Sequence, residues 1–117
     1  MWKIFCILIR NEFLLKPKGR WASREVVSYM KQSGITYRSV EIWMGLEEAQ
    51  GLGCLIFFSD DAALDRFQAA GHLPTVSSLF RSALTRTGYP SDAVSHVHVS
   101  VHSDETIKRA GGYAYFK

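Results

Sequence analysis

Between Ser95 and Ser103 hydrophobic and polar residues alternate strictly: Val97, Val99 and Val101 are interleaved with His96, His98, Ser100 and His102. A period of two sends successive side chains to opposite faces of a strand, so this run predicts a strand with valines facing a core and histidines lining the other surface. Three further runs read as strands. Trp2 to Ile9 is apolar on both faces, as in the middle of a sheet. Ile35 to about Met44 places Val40, Ile42 and Met44 inward, with Tyr37, Ser39, Glu41 and Trp43 outward. Cys54 to Phe58 is again fully apolar, and the glycines at 45, 51 and 53 before it predict a hairpin with the preceding strand.

Between these runs the apolar spacing changes to that of helices. Pro17 and Gly19 are read as loop breakers, after which Ser23 caps a helix carrying Val26, Val27 and Met30 and ending at Gly34. Ser59 opens a second helix with Asp60 and Asp61 near its positive end. Gly71 and Pro74 interrupt it, and a second segment follows with Val76, Leu79, Phe80, Ala83 and Leu84 on one stripe, stopped by Gly88 and Pro90. Ser103 caps one or two turns through Arg109, and Gly111-Gly112 releases Tyr113 to Phe116 as a terminal strand or arm.

The order is strand, helix, strand, strand, split helix, strand. It predicts one α+β domain over residues 1–117, ferredoxin-like βαββαβ, with an antiparallel sheet in order 4-1-3-2, helices on one face and a short C-terminal helix/strand extension. The two strands that are oily on both faces then fall in the centre. Their second face, left apolar, would call for a cover, so the pattern predicts a homodimer with a cavity beside the histidine strand.

Composition changes this picture little. The chain has 117 residues, 47% hydrophobic and 21% charged, which is ordinary for a folded domain. Its first ten residues end at Arg10 and Asn11, too short for a membrane span and without a cleavage signal, so a cytoplasmic protein that makes no membrane contact is expected. Cys6 and Cys54 lie in strand runs and read as small buried hydrophobes. Positive charge is concentrated early, with eight Lys/Arg against Glu12 and Glu25 in residues 1–38 and six against nine acids in the rest.

Candidate chemistry centres on the histidine strand. His96 and His98, two residues apart, project to one side and can reach one metal ion or act as acid and base. His102 lies about 13 Å further along an extended strand, and no third ligand is fixed, so neither a metal nor any other cofactor is assigned. The ligand-binding candidates are His96, His98 and His102 with Tyr37, Glu41 and Trp43; no catalytic residue is assigned. Lys16, Lys18, Arg20 and Arg24, around a glycine and a helix start, are candidates for holding an anion, although no phosphate-loop motif is present. His72 reads as a helix-end residue. Phe57 and Phe58 are flanked by Asp60 and Asp61 and not by basic-glycine motifs, which argues against nucleic acid as a partner.

The tail SDETIKRAGGYAYFK, with its serine-acid start, Arg109, paired glycines and aromatic finish, resembles the ends of small bacterial proteins, some of them encoded on mobile (integron) gene cassettes. That resemblance implies a bacterial, cytoplasmic, single-domain protein and carries over no functional residue. The order of elements is similar to the dimeric α+β barrel group, which implies a small organic molecule held beside a sheet. Three function classes follow. The first is a homodimeric binding protein for a small, partly apolar ligand or a protein partner at the histidine-bearing face. The second is an isomerase- or monooxygenase-like enzyme using His96 or His98. The third is an antitoxin or immunity-like partner protein.

Overall fold

Cys54, Ile56 and Phe58 are fully buried, and the strand that carries them organises the rest of the chain. A computed structural model describes residues 16–43 and 52–111. These form α1 (Lys16–Gln32), β1 (Ser39–Trp43), β2 (Gly53–Phe58), α2 (Asp61–Ala69), α3 (His72–Arg86), α4 (Ser91–Val94), β3 (His98–Ser103) and α5 (Asp104–Arg109). The expected strand over Trp2–Ile9, the hairpin loop with Glu47 and Glu48, Cys6 and the aromatic tail lie outside the described residues.

The described residues form an α+β arrangement with a three-stranded mixed sheet in order β1-β2-β3. β1 and β2 pair antiparallel, the expected hairpin. β2 and β3 pair directly and parallel, with Cys54 opposite Val99 and Ile56 opposite Val101. This corrects the 4-1-3-2 order and the antiparallel sheet, because a ferredoxin-like arrangement would insert a strand between these two. The crossover through α2, α3 and α4 is the connection that a parallel pair requires. Alternating sequence specifies which face a residue occupies, but not which strand lies beside it.

The helices serve one face of this sheet. Ala22, Val26 and Met30 of α1, Ala63 and Phe67 of α2, and Val76, Phe80, Ala83 and Leu84 of α3 share one apolar cluster with Cys54, Ile56 and Phe58. Val40, Ile42, Val99 and Val101 pack at its margin, as the alternation predicts. Burial pushes the Cys54 thiol up to about 12, so it is a protonated, inert packing group.

Several boundaries differ from expectation. α1 already runs through Pro17 and Gly19, and Ser23 is not its cap: its hydroxyl donates to the Arg20 carbonyl at 2.7 Å inside the helix. Proline is tolerated in a first turn, where its missing N–H is not needed. Gly19 is buried, and a Cβ there would stand 3.0 Å from Leu52 Cδ1 and 3.4 Å from Ile42 Cγ2, so the glycine allows α1 to approach the sheet closely. The helix does end as read. Gly34 takes φ 68°, and the bonds Ile35 N–H to Met30 O and Gly34 N–H to Lys31 O close a Schellman turn. Asp60, not Ser59, caps α2 by accepting from the Ala63 N–H at 2.8 Å. Pro74 does not break a helix but lies in the first turn of α3, which Gly71 opens at φ 76°. Ser103 precedes α5 as expected, without a side-chain capping bond.

α2 and α5 are clasped together. Glu105 accepts from the Asp61 N–H at 2.9 Å, while Asp61 accepts from the Thr106 hydroxyl and the Arg109 guanidinium, both at 2.9 Å. The Ser103 hydroxyl, buried and without a hydrogen bond of good geometry, lies near enough to help hold the Asp61 carboxyl below its usual value. Arg109 and Thr106 act in the same direction.

Two outcomes follow. Gly19→Ala would gain up to about 1 kcal/mol in helix propensity, similar in size to its crowding, so the discriminating change is Gly19→Val. It should lower stability by about 1–3 kcal/mol, seen as a lower urea midpoint at unchanged slope; an unchanged midpoint would mean that α1 does not press on Leu52. Asp61 has a lowered folded pKa, so its contribution is complete above the unfolded value near 3.8 and is lost as pH falls through the folded one. Asp61→Asn should therefore flatten the acid limb of a stability-pH curve below about pH 4. A curve identical to that of the parent chain would count against the clasp.

Candidate functional site

The face of the sheet away from the helical cluster carries most of the predicted ligand set. Strand register builds it in cross-strand rows. Trp43, Gly53 and His98 form one, Glu41, Leu55 and Ser100 the next, and Ser39, Phe57 and His102 the third. Adjacent strands lie about 4.8 Å apart, so Trp43 and His98 stand roughly 10 Å from each other across a glycine that has no side chain to fill the gap. A Cβ on Gly53 would meet nothing closer than 3.8 Å. Trp43 is 61% exposed, and Glu41 and His98 are exposed beside it.

The other end of this face is closed. Phe57 is only 5% exposed, with the Arg38 guanidinium 5.0 Å from its ring centre and the His102 ring at 5.5 Å and 31°. Arg38 in turn pairs with Asp104 at 2.6 Å. His102 is half-buried, its Nε2 3.0 Å from the Ser100 hydroxyl, and desolvation holds its pKa below the usual value for an imidazole.

Two of the predicted ligand residues do not join the face. His96 lies in the turn after α4 and not on β3, because its N–H bonds back to the Ala93 carbonyl at 3.0 Å. Its pairing with His98 on one strand is therefore lost. Tyr37 precedes β1 and packs against the apolar cluster instead of facing outward with Glu41. Among the described residues, no three His, Cys, Asp or Glu side chains converge as a metal site would require.

The basic candidates are also rearranged. Lys16, Lys18, Arg20 and Arg24 all lie on α1, not in a glycine loop. Lys16, Arg20 and Arg24 follow one flank at a spacing of four, and Lys18 Nζ donates to the Gly88 carbonyl at 3.5 Å. The glycine that would have brought backbone to an anion is buried against Leu52.

A second place carries no chemical mark in the sequence pattern. Where α1 ends, α2 passes and α3 begins, a cleft of about 260 Å³ is lined by Ser33, Thr36, Arg66, Phe67 and His72 among others. His72 is indeed the first residue of a helix, but its Nδ1 lies 2.8 Å from the Tyr29 hydroxyl. Those two residues are 43 positions apart, and neither has a local signature that announces the contact. Gly71 between two helical stripes was the available signal, since it marks where helices meet at an angle.

Compared with known proteins, the chain matches no family model, no curated protein and no solved structure.

His102 supplies a pH test of the closed end. Its folded pKa is lowered, so protons bind the unfolded chain first: stability is complete above the unfolded value of 6.5 and is lost as pH falls through the folded value. Replacing it in His102→Gln should reduce the stability difference between about pH 7 and pH 5, measured by urea unfolding at each pH. If the variant loses as much stability on acidification as its parent, His102 is not desolvated against Phe57.

Proposed function

We propose that this protein is a binding module for a small, partly apolar organic ligand, held at the open end of the sheet between Trp43 and His98. The observation that carries the reading is the row Trp43–Gly53–His98, in which two exposed rings flank a glycine. The next row offers Leu55 as an apolar floor, with Glu41 on one side and the Ser100 hydroxyl on the other. An indole beside a carboxylate favours a ligand that carries an amine on a flat apolar body, through cation–π attraction and ion pairing.

Binding is preferred to catalysis because the groups that chemistry would need are dispersed. His96 is on a turn and His98 is exposed at the start of β3, with no described residue hydrogen-bonded to either ring to orient it. A general base is usually held by a neighbour and withdrawn from bulk water. A homodimer has less apolar surface to cover at the closed end of this face, since Phe57 is already buried within one chain. An exposed tryptophan also suits a protein interface, so a protein partner is the second reading. It predicts that the chain in its native extract runs as a complex in which Trp43→Ala runs free. No helix among the described residues is long and apolar enough to cross a membrane.

Benzylamine is a suitable first probe, followed by the indole N–H resonance of Trp43 in a titration monitored by NMR. Saturable shifts at Trp43, Gly53 and His98, weakened about tenfold or more in Trp43→Ala, are expected. Saturation confined to other residues, or affinity unchanged in the variant, would remove this site.

A further inference from the structure

From the cleft between α1, α2 and α3 we infer a second binding site, independent of the sheet face, for a small organic carboxylate. Its walls hold a guanidinium (Arg66), an imidazole (His72) and two hydroxyls (Ser33, Thr36), and among the described residues no carboxylate lines it. Every polar side chain in the wall can donate a hydrogen bond.

Arg66 is an uncommitted cation in this wall. Arg38, Arg86 and Arg109 each pair with a carboxylate, whereas the Arg66 guanidinium has no ion-pair or hydrogen-bond partner among the described residues. The positions three and four residues away on its helix, Ala62, Ala63, Ala69 and Ala70, are all alanine, so no acid on α2 is spaced to neutralise it. A guanidinium presents two parallel N–H groups that match a carboxylate.

His72 is fixed in place before any ligand arrives. The Tyr29 hydroxyl reaches its Nδ1 at 2.8 Å, and the Phe67 ring packs against it at 5.5 Å and 33°. When Nδ1 accepts from the phenol, a neutral imidazole carries its hydrogen on Nε2, which is then a donor. The carbonyl end of α1, which would repel an anion from the opposite wall, is satisfied by its own Schellman bonds. Across the cleft α3 begins on Gly71, with no side-chain cap and no acid in its first turn, so nothing there offsets positive potential.

Size and lining select among anions. At about 260 Å³ the cleft lies just below the range of about 300–1,000 Å³ for drug-sized ligands, so the occupant is small. Phe67, Ile35 and Ala63 supply apolar contact that a bare inorganic anion would not use.

Titrating the whole chain with benzoate, and separately with inorganic phosphate, tests the assignment by amide NMR. Benzoate should give saturable shifts at 33–36 and 63–72 while leaving Trp43, Gly53 and His98 in place. Arg66→Gln should weaken it about tenfold or more, with Arg66→Lys in between and the remaining spectrum unchanged. Because Arg66 is exposed, neither variant removes core contacts. Absence of saturation, equal affinity in Arg66→Gln, or tighter binding of phosphate than of benzoate would each overturn the inference. None of these results bears on the amine site, which lies on the opposite face of the sheet.

Discussion

The direct parallel hydrogen bonding of β2 to β3 is the constraint from which the remaining geometry follows. Parallel neighbours must be joined by a crossover, and α2, α3 and α4 are that crossover. Their apolar stripes have one surface to cover, the Cys54–Ile56–Phe58 side of β2 with Val99 and Val101 beside it. α1 then closes over the same side, and it comes close at residue 19, where the glycine leaves room for Leu52 and Ile42. The position of each element is thus inherited from one strand pairing.

Both candidate sites take their form from the same arrangement. On the second sheet face, register decides that Trp43, Gly53 and His98 stand in a row and that Arg38 and His102 close over Phe57 two rows away. On the helical side, the angle at Gly71 separates α2 from α3 and leaves the cleft beside Arg66 and His72. Clasps at the margins hold these positions. Asp61 with Arg109, and Arg38 with Asp104, are partly solvated ion pairs, each of modest worth alone, and the Thr106 hydroxyl adds a hydrogen bond to Asp61. Their effect is on geometry more than on total stability, because they tie β1, α2 and α5 at the end of the sheet where the histidine strand finishes.

The sequence made the faces legible but not the neighbours. Alternation placed Val99 and Val101 inward and His98 and His102 outward, and Glu41 with Trp43 outward, as observed. The same alternation fits an edge or an inserted arrangement equally, which is why the order 4-1-3-2 read well and the direct pairing was not visible. His96 was assigned to the strand because the pattern continues through it, yet a turn bond to Ala93 carries that residue off the sheet. Pro17, Gly19 and Pro74 were read as breakers from residue type alone, whereas their meaning depends on position: first-turn prolines and a contact glycine are compatible with helix. The His72–Tyr29 pair joins residues from separate helices, and such contacts leave no local trace.

β2 and β3 are immediate partners in parallel, and nuclear Overhauser contacts between backbone protons of the two strands decide whether they are. The account predicts contacts linking Cys54 with Val99 and Ile56 with Val101, together with a protected His98 amide bonded to the Leu52 carbonyl. Contacts from both strands to an intervening strand, with none between β2 and β3 themselves, would contradict it.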